Sequence, residues 1–129
     1  MEIDNPEVVA EVTAAFARYE AALVGNDVET LMELFWRDPR TIRYGVAELL
    51  YGIEEIEAFR KGRSPKGLER TIERTELTTY GRDFATTAIH YRRHSDPDRI
   101  GRQMQTWVRM PEGWRVVAAH VSVMDAGAS

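Results

Sequence analysis

Apolar residues recur at spacings of three and four near the start of the chain and alternate through its second half. Val8, Val12, Ala15, Phe16, Tyr19 and Leu23 form the stripe of one amphipathic helix. Asn5 caps it, Pro6 takes the first helical position, Glu7 meets the positive end of the dipole, and Gly25-Asn26 stops it. Asp27 caps a shorter second helix carrying Val28, Leu31, Met32, Leu34 and Phe35, and Pro39 ends it by disfavouring helix at Asp38. Residues 41–44 alternate as a short strand, with Ile42 and Tyr44 on one face and Thr41 and Arg43 on the other. Either face could be the inner one, and an arginine on a short strand usually lies on the wet side. Residues 48–52 read as a connection. A third helix follows over 53–60, with Ile53, Ile56 and Phe59 on its apolar side.

From residue 68 the pattern turns to β. Residues 68–80 and 84–94 read as strands with a turn at 81–83, and 95–98 as a loop. Residues 100–124 read as a hairpin about Pro111-Glu112-Gly113. A three-residue loop there sets Met104 opposite His120 and Arg102 opposite Ser122. Adding Met110 to the loop sets Gln103 and Gly101 there instead, and brings Gln105 and Trp107 onto the histidine's face. A slip of one residue exchanges every inward side chain, and both registers stand open. The order helix, helix, short strand, helix, then four long antiparallel strands predicts an α+β domain spanning 1–129, with its helices on one side of a meander.

Composition narrows the chemistry. The chain has 129 residues, enough for one core, and its 43% hydrophobic and 29% charged content is that of an ordinary globule. It has no cysteine, so disulfides, thiolate nucleophiles and cysteine metal sites are excluded. A net charge of −4 argues against a nucleic-acid partner. The acidic N-terminus and the lack of a long apolar run point to a cytoplasmic protein without a membrane segment. The arginines lie mostly beyond the first helices, an arrangement that allows a local anion site, although most of them read as solvent-facing partners of glutamates.

Few motifs carry chemistry. His90 and His94 are four residues apart on a strand, too far for shared ligation, and no metal expectation follows. There is no HExxH, GxSxG or dinucleotide glycine fingerprint. The basic segment 61–67 lacks phosphate-loop order and reads as a solvated loop. His120, in an otherwise apolar strand, faces either the core or a cavity, and Tyr19 reads as a satisfied core tyrosine.

The strings AEVTAAFARYEAALVGND, ELFWRDPRTIRYG, LLYGIEEIEAFR, TTYGRDFATT and GRQMQTWVRMPEGWRVVAAHVS resemble the AtzH-like family within the NTF2-like, SnoaL-like superfamily. The resemblance runs from Asn5 to Met124. It implies a cone in which three N-terminal helices pack on a curved, mainly antiparallel sheet and enclose a pocket. Family members include the HpxZ-type proteins of oxalurate catabolism and the 1,3-dicarboxyurea decarboxylase of cyanuric acid catabolism. The resemblance further implies that the helix tyrosine and the arginine of TIRYG carry the reaction, which here are Tyr19 and Arg43. His120, Ser122, Gln105 and Arg102 are then candidates for holding the rest of a small anionic ureido substrate. No cofactor is needed. A homodimer is expected, and a non-catalytic subunit working with an amidase is the alternative.

Overall fold

The computed structural model describes residues 1–127, so the last two positions of the predicted domain lie outside the described residues. Helix α1 spans Pro6–Val24, α2 Val28–Leu34 and α3 Ile53–Gly62. The strands are β1 Ile42–Tyr44, β2 Leu49–Tyr51, β3 Arg70–Tyr80, β4 Phe84–Arg93, β5 Asp96–Met110 and β6 Gly113–Asp125. They form one curved sheet in the order β2-β1-β6-β5-β4-β3, antiparallel except where β1 runs parallel to β6. The fold is α+β, three helices packed on an open sheet, as expected. Segment 48–52, read as a connection, contains the edge strand β2, and segment 95–98, read as a loop, opens β5.

The predicted caps form. Asn5 Oδ1 accepts from the backbone N–H groups of Glu7 and Val8 at 3.0 and 3.3 Å, and Asp27 accepts from Thr30 N–H at 3.2 Å. The α1 stripe of Val8, Val12, Phe16, Tyr19 and Leu23 is buried against Leu31, Phe35 and the inner sheet face. Burying one such aliphatic side chain contributes about 1.5–3 kcal/mol, so α1 holds its place through this stripe. Along β4 and β5 the inner positions alternate, with Ala85, Thr87, Ile89 and Tyr91 on one strand and Gly101, Gln103, Gln105 and Trp107 on the other. The side chain that Gly101 lacks leaves room for the Tyr91 ring, its direct cross-strand partner.

The β5–β6 hairpin resolves the open register. Its loop is the two residues Pro111 and Glu112, because Met110 pairs Gly113, whose φ of 129° suits glycine. Further along, Trp107 pairs Val116 while Thr106 pairs Ala118, so Val117 is the extra residue of a bulge. That bulge switches the buried positions from Trp114 and Val116 to Ala119 and Val121. Met104 therefore lies opposite His120 and Arg102 opposite Ser122, the pairing of the three-residue loop reached by a shorter loop plus a bulge.

Gly101→Ala drives a methyl group into the Tyr91 ring. It is expected to lower the free energy of unfolding by about 1–3 kcal/mol, read from the urea midpoint. An unchanged midpoint would show that the Tyr91 stack does not depend on this glycine.

Candidate anion site

Strand β1 carries Arg43 inward, 3% exposed, because it pairs in register with β6 at Ala119 and the two flanking residues turn outward. Arg43 Nη1 donates to Glu48 Oε1 at 3.1 Å, and the same carboxylate accepts from Ala47 N–H at 3.1 Å. Gly45 makes this possible, since a Cβ there would overlap the Glu48 carboxylate. The Arg43 guanidinium carbon sits 5.0 Å from the centroid of the Phe59 ring, and that of Arg63 sits 5.1 Å from the same ring.

Behind this pair lies Tyr19, 2% exposed, edge-on to Trp107 at 6.5 Å and tilted against Phe35 at 6.1 Å. Its hydroxyl oxygen accepts from Arg60 Nη2 at 3.2 Å, and its own proton has no acceptor among the described residues. Arg60 is fully buried on α3, with its guanidinium 5.6 Å from the Phe35 centroid. Arg70 closes the group. It grips Glu20 of α1 through two hydrogen bonds of 2.8 and 2.6 Å, donates to Gln103 Oε1 at 3.2 Å, and stacks 4.1 Å over Tyr91.

The charges do not balance. Four guanidiniums (those of Arg43, Arg60, Arg63 and Arg70) are buried or half-buried and two carboxylates, Glu48 and Glu20, pair with them, while half-buried Arg93 on the cavity wall adds a cation with no ion pair among the described residues. Within this cluster the orphaned groups are donors: Arg43 Nε, Arg60 Nε and Nη1, Arg63 Nη1, Gln103 Nε2 and Gln105 Nε2 are buried without partners among the described residues. Such groups are costly unless something accepts from them. Burial and then the charge of Arg60 hold Arg43 below the ordinary arginine value. Burial, followed by the charges of Arg60, Arg43 and Arg93, pushes Arg63 down to about 10. For Tyr19, burial alone would raise the phenol, but Arg60, Arg43 and Arg70 outweigh it and hold the group below the usual tyrosine value. Burial would likewise lower Arg70, yet its bonds to Glu20 raise it.

A cavity of about 360 Å³ opens onto this cluster, lined by Arg43, Glu48, Phe59, Arg63, Tyr91, Arg93, Asp96 and Arg99 among others. Asp96 in its lining pairs with Arg99 at 3.7 Å. The arrangement suits a small anion with several acceptors and no donors to spare. Among the described residues there is no cluster of His, Asp and Glu that could hold a metal ion, and no helix is long and apolar enough to cross a membrane.

Of the residues singled out from sequence, Tyr19 and Arg43 come together, although Tyr19 lies one layer behind the cavity wall. Gln105 is also inward, but its Oε1 accepts from Thr87, which in turn accepts from Trp107. The structure does not bring His120, Ser122 and Arg102 to this cluster. The bulged register puts them on the outer sheet face, where Arg102 donates to Ser122 Oγ at 3.1 Å and His120 packs edge-on against Tyr44 at 5.7 Å. Arg60, Arg63, Arg70 and Glu48 were missed. Arg60 had a signal, since it follows Ile53 and Ile56 on the helical period as well as Phe59 does. Arg63 and Arg70 had none.

The AtzH-like family profile matches residues 1–127. No curated protein sequence matches the chain. Among solved structures, a protein of unknown function from Pectobacterium atrosepticum is 58% identical, with 95% of each chain covered and a TM-score of 0.93. A cystatin-like fold protein from Burkholderia xenovorans is 46% identical over 98% of this chain and 99% of that one, with a TM-score of 0.94. An NTF2-like protein with a cystatin-like fold from Novosphingobium aromaticivorans is 25% identical, covering 95% and 85%, with a TM-score of 0.71.

Gly45→Ala acts by displacing Glu48, so its cost depends on that carboxylate. A double-mutant cycle with Glu48→Ala is expected to give a coupling of about 1 kcal/mol in unfolding free energy. Additive effects would show that Gly45 serves something other than the Arg43–Glu48 pair.

Proposed function

The chain belongs to the AtzH-like family, and we propose that it is a cofactor-free decarboxylase of a small carboxylated urea. The substrate is 1,3-dicarboxyurea and the products are carbon dioxide and allophanate, as in cyanuric acid or related ureide nitrogen catabolism. One observation carries this reading: a buried cluster whose unpartnered groups are donors holds an excess of at least two positive charges, and 1,3-dicarboxyurea is a small dianion rich in acceptors.

In the proposed reaction the bond between one carboxylate carbon and its nitrogen breaks, and the electron pair stays on nitrogen, shared with the ureido carbonyl. Carbon dioxide leaves and a proton reaches the nitrogen. Arg43 offers the planar donor edge that holds the ureido oxygen or carboxylate, and it keeps its charge when buried. Tyr19 supplies the proton, since Arg60 already donates to its oxygen and leaves the O–H free to point elsewhere. Its arginine neighbours then stabilise the tyrosinate until water restores the proton. This geometry requires the leaving end of the substrate to reach past Arg43 to the phenol. Tyr19 stands behind the cavity wall, and that position favours the second reading, a non-catalytic subunit that binds the dianion for an amidase.

Wild type incubated with fresh 1,3-dicarboxyurea is expected to release carbon dioxide well above background, and Tyr19→Phe to lose roughly a hundredfold or more of that rate. Because the acting form of Tyr19 is protonated, activity falls as pH rises through a phenol pKa held below about 10. Arg60→Gln removes the largest lowering charge and is expected to move that alkaline limb to higher pH. A limb that stays in place would show that another group titrates. A wild type that binds the dianion without releasing carbon dioxide would establish the amidase-subunit reading instead.

A further inference from the structure

Arg63 sits in the segment that reads from sequence as a solvated basic loop, yet its side chain is part of the cavity wall. The chain leaves α3 at this residue, whose φ of −79° and ψ of 136° are extended while its N–H still reaches Arg60 O at 3.4 Å. The side chain folds back over Phe59 at 5.1 Å, and Nη1 is buried without a partner among the described residues. Arg43 lies 5.0 Å from the same ring, so the two guanidinium carbons share one aromatic partner and are no more than about 10 Å apart. Their neutralisation differs. Arg43 has Glu48 and Arg99 has Asp96, whereas Arg63 and Arg93 make no ion pair among the described residues, and of these two Arg63 is the one with a buried, unpartnered guanidinium nitrogen.

We propose that Arg63 is the second carboxylate-binding residue of the cavity, so that Arg43 and Arg63, both held beside Phe59, select dianions over monoanions of the same size. This rests on reading the cavity as the dianion site. It also gives the reaction a direction. Decarboxylation removes one of the two charges, so a monoanionic product loses one of its two anchors and is held less tightly than substrate.

The probe is glutarate, a stable dianion with as many chain atoms between its carboxylates as 1,3-dicarboxyurea, set against pentanoate, which keeps one carboxylate. Calorimetric titration of wild type, Arg63→Gln and Arg63→Lys at constant ionic strength reads the selectivity directly. Wild type is expected to prefer glutarate by about tenfold or more, as loss of a charge-assisted hydrogen bond implies. Arg63→Gln is expected to lose most of that preference while holding pentanoate within about threefold, and Arg63→Lys to recover part of it. Equal loss for both ligands, unchanged selectivity, or a wild type that does not distinguish the two would overturn the proposal. If selectivity behaves as expected but 1,3-dicarboxyurea is not turned over, the decarboxylase reading falls and the role of Arg63 stands.

Discussion

Burying guanidinium charge is the constraint around which this structure is arranged. Each cation loses several kcal/mol of hydration, and the loss is recovered only through close, well-aligned partners. The surroundings of the cluster are largely devices for that purpose. Gly45 clears space for Glu48 beside Arg43, and Glu20 reaches from α1 to grip Arg70. Phe59, Phe35 and Tyr91 offer ring faces to Arg43 and Arg63, to Arg60, and to Arg70 respectively. Even so, the internal carboxylates fall short of the cations. A fold that keeps such an excess holds back stability that an apolar core of the same volume would supply, a trade expected where a ligand completes the site.

The same constraint orders the helices. The α1 stripe that buries Val12 and Phe16 also brings Tyr19 and Glu20 to the sheet, the first toward Arg60 and the second toward Arg70. Helix α3 and its C-cap deliver Phe59, Arg60 and Arg63 from one short segment. The electrostatic site and the hydrophobic core are therefore one packed unit, and changes to either will be felt in both.

What the sequence made legible follows from periodicity and turn chemistry. The α1 stripe, its Asn5 cap and the long β5–β6 hairpin were readable because each has a strong local rule. The inward set of β6 was not, because a single extra residue at Val117 reverses the alternation, and a bulge leaves no mark in an apolar run. That reversal sent His120 and Ser122 outside. Arg43 stood on one of two equivalent faces, and only pairing with β6 chose between them. Arg63 and Arg70 looked like ordinary surface arginines, since burial of a charge is decided by distant partners such as Glu20. The interest of Tyr19 came from family resemblance, not from its spacing.

On the proposed reading a dianion completes the under-neutralised cation cluster. Thermal unfolding of wild type and Arg43→Gln, followed against rising glutarate with sodium chloride matched for ionic strength, tests it most directly. A ligand that binds the folded state alone raises the midpoint in proportion to the logarithm of its concentration above Kd. That rise is expected for wild type with glutarate, little of it with chloride, and its loss in Arg43→Gln. Equal responses to glutarate and chloride, or an undiminished rise in the variant, would contradict that reading.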